Sequence, residues 1–312
     1  MKKLILVLAT IMMVGLITGT FFYQNQNQNS LLQLNQKTNM LEKSKSAYQV
    51  EKLQPKTLEP VHNNMISYTL QNNELNITYD NGNNWVKVPV EKDLLFNGEY
   101  NGNEQELING SYILTEDRAA FLYKQDRIFL KYSLDHGKTW KESVVTEALP
   151  GIRFRKVGFL NDRFGYVVLS GDRTMSQELS TVFLTHDGGE TWEETASPPT
   201  TRLIADGGFV DENTGFMSYG TINPQKPNLY VTQDGGKTWS KAVIHIPERY
   251  DKVFVQAEFP VKENNHLSVL VNQGPNGDYA GGKVKGKFIS KDNGLTWDFS
   301  MEVQPNEKTE QG

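Results

Sequence analysis

One eight-residue pattern, Ser/Thr-x-Asp-x-Gly-x-Thr-Trp, recurs along this chain of 312 residues and constrains its fold more than any other feature. It stands at 133–140, 185–192, 232–239 and 290–297, and a degenerate copy at 78–85 carries Asn84 in place of the Thr. All five tryptophans, Trp85, Trp140, Trp192, Trp239 and Trp297, close these boxes. The box aspartates Asp80, Asp135, Asp187, Asp234 and Asp292 are separated by 55, 52, 47 and 58 residues. A repeat of about 50 residues with several short strands per unit predicts a β-propeller.

The box has a physical logic. Asp-x-Gly makes a tight turn in which Gly is free to adopt positive φ. The Asp carboxylate can accept backbone N–H groups of its own turn. The Ser or Thr two residues earlier shares its strand face and can bond across the hairpin. The Trp lies on the returning strand, offering an apolar face to a neighbouring sheet and an N–H to a partner. The boxes therefore read as hairpin devices at the rim. A calcium-loop reading lacks the Asp-x-Asp-x-Asp-Gly run and the Glu at the twelfth loop position, so no metal or other cofactor is expected.

Alternation places four strands in each unit, the box lying in the last hairpin. In the fourth unit these are 206–210, 215–220, 228–232 and 238–246, and in the fifth 252–259, 266–272, 283–290 and 296–303. The first unit shows 65–70, 75–78 and 85–90, with an innermost strand expected from 48–53. The fold class is thus all-β, a propeller of about five four-stranded blades over 47–304. Six follow if the polar stretch 97–109 or the N-terminal segment supplies another.

Composition narrows the class. A net charge of −5 without a basic block argues against a nucleic-acid partner. The absence of cysteine excludes disulfides, thiolate zinc sites and thiol catalysis. At the N-terminus Met1-Lys2-Lys3 precedes an uncharged, mostly apolar run to Tyr23. Its 20 residues at about 1.5 Å each can span the roughly 30 Å core of a bilayer. Segment 1–23 is expected to be a signal anchor, with a cleaved signal peptide as the alternative. A polar stalk, 24–46, follows, and 305–312 forms a tail. Either reading puts the propeller outside the cytoplasmic membrane, attached to it or secreted.

At these boxes the chain resembles the Asp-box family, also called bacterial neuraminidase repeats, over roughly 48–303. Sialidases, sortilin-type receptors, xyloglucanases and photosystem II assembly factors share the motif, and the resemblance implies a structural role for it. The hairpins Gly158-Phe159-Leu160-Asn161 to Gly165 and Gly208-Phe209-Val210-Asp211 to Gly215 are more similar to the assembly-factor and sortilin-like repeats than to a sialidase. A sialidase would imply three arginines on a carboxylate, a Tyr–Glu nucleophile pair and an Asp acid/base, introduced by a Phe/Tyr-Arg-Ile-Pro string. That tetrapeptide is absent; Phe154-Arg155-Lys156-Val157 is the nearest string.

Arg153, Arg155, Arg202 and Arg249 each precede or open the first strand of a unit. In a propeller that strand lines the central channel, so with Tyr250 and Glu258 they are the candidate constellation for an anionic ligand. Solvated rim charge is the competing reading. The loop 274–282, Gly-Pro-Asn-Gly-Asp-Tyr-Ala-Gly-Gly, reads as a mobile hairpin loop able to hold a ligand. The function expected is a non-catalytic binding or assembly module at the cell envelope, its partner an envelope protein or a glycan. The alternative is a sialidase-like exo-glycoside hydrolase.

Overall fold

The computed structural model of the chain describes residues 58–62, 64–147 and 149–305. The expected anchor 1–23, the stalk 24–46, the strand at 48–53 and all but the first residue of the tail 305–312 lie outside the described residues. Among the described residues no helix is long and apolar enough to cross a membrane.

Five sheets follow one another along the chain. Sheet 1 is β1 (Ser67–Thr69), β2 (Glu74–Thr78) and β3 (Val86–Glu91), followed by the short helix α1 (Lys92–Phe96). Sheet 2 is β4 (Tyr112–Leu114), β5 (Ala119–Lys124), β6 (Ile128–Ser133) and β7 (Lys141–Thr146). Sheet 3 is β8 (Phe154–Phe159), β9 (Gly165–Thr174), β10 (Gln177–Thr185) and β11 (Glu193–Glu194). Sheet 4 is β12 (Ile204–Phe209), β13 (Gly215–Tyr219), β14 (Asn228–Thr232) and β15 (Ser240–Lys241). Each is an antiparallel meander in sequence order, as the two-residue periodicity and the Gly-rich turns require.

Sheet 5 departs from the pattern. Its central strands are β19 (His266–Asn272), β20 (Lys285–Ser290) and β21 (Thr296–Val303). Its innermost strand is split into β17 (Gln256–Ala257) and β18 (Val261–Glu263), both paired with β19. Pro260, which has no N–H to donate, lies in the break. Its outer edge is β16 (Val243–His245), which runs parallel to β21. The expected outer strand 238–246 of the fourth unit is therefore shared: β15 closes sheet 4, Ala242 turns into the core, and β16 crosses to sheet 5.

Four apolar seams join successive sheets. Leu75, Ile77 and Val88 meet Phe121 and Tyr123 between sheets 1 and 2, with Leu95 and Phe96 of α1 added. Leu130 and Tyr132 meet Val167 and Leu169 between sheets 2 and 3. Tyr166 and Val168 meet Phe209 and Met217 between sheets 3 and 4, and Phe216 and Val231 meet Phe288 and Trp297 between sheets 4 and 5. Each fully buried side chain of this size contributes about 1.5–3 kcal/mol relative to exposure.

No such seam joins sheet 5 to sheet 1 among the described residues. The outer face of sheet 5 is instead laced by ion pairs, Lys285 with Glu258 at 2.7 Å and Lys287 with Glu263 at 2.7 Å. A charged end face is how repeat architectures keep a terminal unit soluble. In the place of an innermost strand of sheet 1, Val61 donates its N–H to the Tyr68 carbonyl at 2.8 Å. The stretch 97–109 contains no strand, so it supplies no sixth sheet.

Candidate binding cleft

The boxes are hairpin devices whose turns are closed by their own Ser or Thr and Asp side chains. In the second, Ser133 Oγ donates to Asp135 Oδ1 at 2.8 Å and accepts the Gly137 N–H at 2.8 Å. Asp135 also accepts the Thr139 N–H at 2.8 Å and its hydroxyl at 2.6 Å. The same bonds recur at Asp187, Asp234 and Asp292, and at Asp80 with the Asn84 amide replacing the hydroxyl. The Ser or Thr thus bonds inside the turn, where the sequence suggested a bond across the hairpin. Hydrogen bonds from Thr139, first its hydroxyl and then its N–H, pull the Asp135 carboxyl down to about 2. Thr238 does the same for Asp234, also to about 2. The residue between the box Asp and its pattern Gly also has positive φ where it is not glycine: Asn81 57°, His136 61° and Asn293 56°. That conformation explains why this variable position holds only Asn, His or Gly.

From the second box on, each Trp packs on the preceding sheet, Trp140 in the seam of sheets 1 and 2 and Trp297 in that of sheets 4 and 5. Trp192 donates to Ser143 Oγ at 3.1 Å and Trp239 to the Ala196 carbonyl at 2.7 Å, both partners being in the preceding unit. Trp85, with no preceding sheet among the described residues, belongs to none of the four seams, and its buried Nε1 has no partner there.

The four candidate arginines do not converge on one ligand. Arg153 grips the buried carboxylate of Glu178, Nε to Oε2 at 2.6 Å and Nη2 to Oε1 at 2.5 Å, and reaches the Ile204 carbonyl at 2.6 Å. Arg155 is buried and caps the end of α1, donating to the carbonyls of Leu95 at 3.0 Å and Asn97 at 2.7 Å. Burial pushes its pKa down to about 10. Arg202 is exposed, its backbone bridged to Gln177. Glu258 pairs with Lys285 on the outer face of sheet 5, away from Tyr250. Lys156 bonds Asp206 at 2.6 Å and lies 4.4 Å from the Phe259 ring centre, bridging these inner positions to one another. These side chains come from inner strands, or their immediate continuation, of sheets 3, 4 and 5. Arg118, which no sequence pattern singles out, is buried between Phe159, at 3.8 Å, and the Gly188 carbonyl, at 2.9 Å, and so ties sheet 2 to the box of sheet 3.

Arg249 and Tyr250 do come together, with partners that pattern reading missed. The Tyr250 hydroxyl donates to Glu302, and the Tyr279 hydroxyl donates to the same Oε1 at 2.9 Å. The Arg249 guanidinium lies 4.5 Å from the Tyr250 ring centre. The two tyrosine bonds hold the Glu302 carboxyl below its usual range and raise both tyrosines. This clasp pins the loop after β19, so the stretch 274–282 is anchored and not a free hairpin. Gln273, at its root, donates to the carbonyls of Tyr279 and Val284, both at 2.9 Å. At its tip Asn276 Nδ2 donates to Asn223 Oδ1 of the β13–β14 loop at 2.7 Å. The two loops border a cavity of about 370 Å³. It lies at the end of the sheets opposite the boxes, since consecutive turns of a meander alternate ends. Among the described residues no group of three or more His, Cys, Asp or Glu is placed to hold a metal ion.

Comparison with known proteins identifies a family and some distant structural likenesses. A structure of YCF48 bound to D1 peptide is 16% identical, with 75% of this chain and 63% of that chain covered and a TM-score of 0.43. A GH74 xyloglucanase from Xanthomonas campestris is 15% identical, covering 77% of this chain and 38% of that one, with a TM-score of 0.41. The chain thus spans less than two thirds of the length of these structures. A search of curated proteins returned no match. The profile of the DUF6242 beta propeller domain matches residues 3–273, and the chain belongs to that family.

Proposed function

We propose that this propeller is a non-catalytic binding or assembly module on the outer side of the cell envelope, held there by segment 1–23. One observation carries the reading: two of the four candidate arginines, Arg153 and Arg155, are committed to the fold, so the three that a carboxylate-binding glycosidase site would need are not left among them. Arg153 is bound to Glu178, Arg155 to the end of α1, and Arg118 to the box of sheet 3. A guanidinium already bidentate to a buried carboxylate cannot also clamp a substrate without leaving that charge unpaired. The loops at the end opposite the boxes carry accessible polar groups and an open cavity, the features of a contact surface. The likeness of the boxes to Asp-box repeats fits such a module, since those repeats serve as hairpins wherever they occur.

The test uses the full chain. Incubated with a fluorogenic sialoside, it is expected to give no turnover above a heat-denatured control. Cross-linking in intact cells is expected to join it to an envelope component through the loops at 220–227 or 273–284, and protease added outside the cells to release the propeller. Turnover of the sialoside, or a propeller protected from external protease, overturns the proposal.

A further inference from the structure

We propose that the cavity between the β13–β14 loop and the β19–β20 loop is a saccharide site that takes a neutral, hydroxyl-rich sugar ring; this rests on the binding-module reading above. The first observation is Gln273. Gln273 lines the cavity and is 5% exposed, its Nε2 is spent on two carbonyls, and its Oε1, buried against Gly277, has no partner. The two carbonyls fix the amide's orientation, so the oxygen cannot be exchanged for the nitrogen by a flip. A buried acceptor left unpaired is costly, so a ligand that shifts the Gly277 turn enough to bring an O–H to it removes that cost.

The second observation is the amide pair at the rim. The bond from Asn276 Nδ2 to Asn223 Oδ1 leaves Asn276 Oδ1 as an acceptor beside the N–H groups of Asn223. An acceptor and a donor held side by side match two vicinal hydroxyls. The third is Tyr279, which lines the cavity. Its hydroxyl is held by Glu302, and its ring stands edge-on to Tyr250, 6.0 Å away at 85°. A ring immobilised in this way is a platform for the C–H face of a sugar.

The loop is shaped for this arrangement. A Cβ on Gly277 would lie 2.1 Å from the Gln273 Cβ, and Gly274 has a φ of 68°, so neither position accepts a side chain without moving Gln273 or the chain. The volume of about 370 Å³ lies at the small end of the usual range for small-molecule sites. The only charges at the wall, Lys252 and Asp278, are opposite in sign, which favours an uncharged ligand over an anion. The local backbone is already paired, Val255 N–H to the Asn272 carbonyl and Gly281 N–H to the Asp278 carbonyl, so a peptide finds no strand edge to extend there.

Calorimetric titration of the full chain, in a detergent without a sugar head group, tests the site. The probes are cellotetraose, xylotetraose, chitotetraose, sialyllactose and an acetylated, amidated Asn-Ser tetrapeptide. At least one neutral oligosaccharide is expected to bind with a Kd of about 0.1–1 mM. Asn223→Ala and Tyr279→Ala should each weaken it about tenfold or more, with the Tm of Asn223→Ala unchanged. No binding at about 10 mM of any neutral sugar, wild-type affinity in Asn223→Ala, or preference for sialyllactose or the peptide overturns the proposal. A cross-linked protein partner with no sugar binding leaves the binding module standing and removes this site. Sialoside turnover removes the module reading, while the Asn223→Ala titration still decides the site.

Discussion

Replacing Arg153 with alanine separates a structural strut from a ligand anchor. The Glu178 side chain is fully buried, and its charge is met by the two-pronged Arg153 contact and by the Ile204 N–H at 2.6 Å. Removing the guanidinium leaves the carboxylate with one donor in a water-poor seam between sheets 3 and 4. Breaking a buried pair from one side typically costs about 3–5 kcal/mol, because the remaining charge loses its compensation. That is a large part of the ~5–15 kcal/mol available to a folded domain. Urea unfolding of the full chain, followed by tryptophan fluorescence, should show the midpoint fall steeply with little change in slope. Adding Glu178→Gln to Arg153→Ala should recover at least about 1 kcal/mol, since a neutral amide is cheaper to leave underbonded. If Arg153→Ala costs less than about 1 kcal/mol and instead abolishes cross-linking to an envelope component, the residue is an anchor and the strut argument is refuted.

Further outcomes follow from the hairpins and the loop clasp. The box carboxyls are depressed in the folded state, Asp135 and Asp234 to about 2. The stability they contribute is therefore complete above their unfolded pKa of about 3.9 and is lost as pH falls towards their folded values. Melting temperatures taken from pH 5 to pH 2 should drop through this window, with a shallower drop in Asp135→Asn. Gly294→Ala should cost about 2–4 kcal/mol, because φ is 91° and the new methyl would meet Phe216 Cε1 at 2.4 Å; chemical denaturation reads it. Glu302→Ala removes the acceptor of both Tyr250 and Tyr279. Amide exchange at 275–283 should rise at least tenfold in that variant, with exchange in β12–β14 unchanged.

How much of this was legible beforehand depended on whether a feature is local. The boxes are, since every bond at Asp135 ends within four residues of it, so pattern alone located five hairpins and hence five sheets. The transfer of β16 to sheet 5 is not local. It is driven by Ala242 entering the seam of sheets 4 and 5 and by the Val243 N–H finding the Leu295 carbonyl at 2.8 Å. The arginines failed for the same reason. Arg153 and Arg155 differ by two positions and sit on one strand or its threshold, yet one meets Glu178, 25 residues ahead, and the other meets Leu95, 60 residues back. No spacing rule encodes either partner. The asparagine–glutamine cavity was hidden because amides in a Gly-Pro loop look like solvent-exposed turn residues until Gln273 is seen to hold two carbonyls.

The tryptophans carry the sharpest contrast between repeat and position. Five like boxes would suggest five like contributions, but each box Trp acts on the sheet before it, and sheet 1 has none among the described residues. Trp297 is fully buried between sheets 4 and 5, 6.0 Å from the Phe216 ring, and donates to the Gly294 carbonyl at 2.9 Å. Trp297→Ala should cost about 3–5 kcal/mol, the usual range for emptying a large aromatic site. Trp85 is half-buried, lies beside the Pro60 ring at its own box glycine, and leaves its indole N–H unpaired. Trp85→Ala should cost only about 1–2 kcal/mol. Equal losses in the two variants, measured by urea unfolding at one protein concentration, would mean that Trp85 is covered as fully as Trp297. The polar outer face of sheet 5, with its Lys285–Glu258 and Lys287–Glu263 pairs, would then be the wrong place to end the apolar stack.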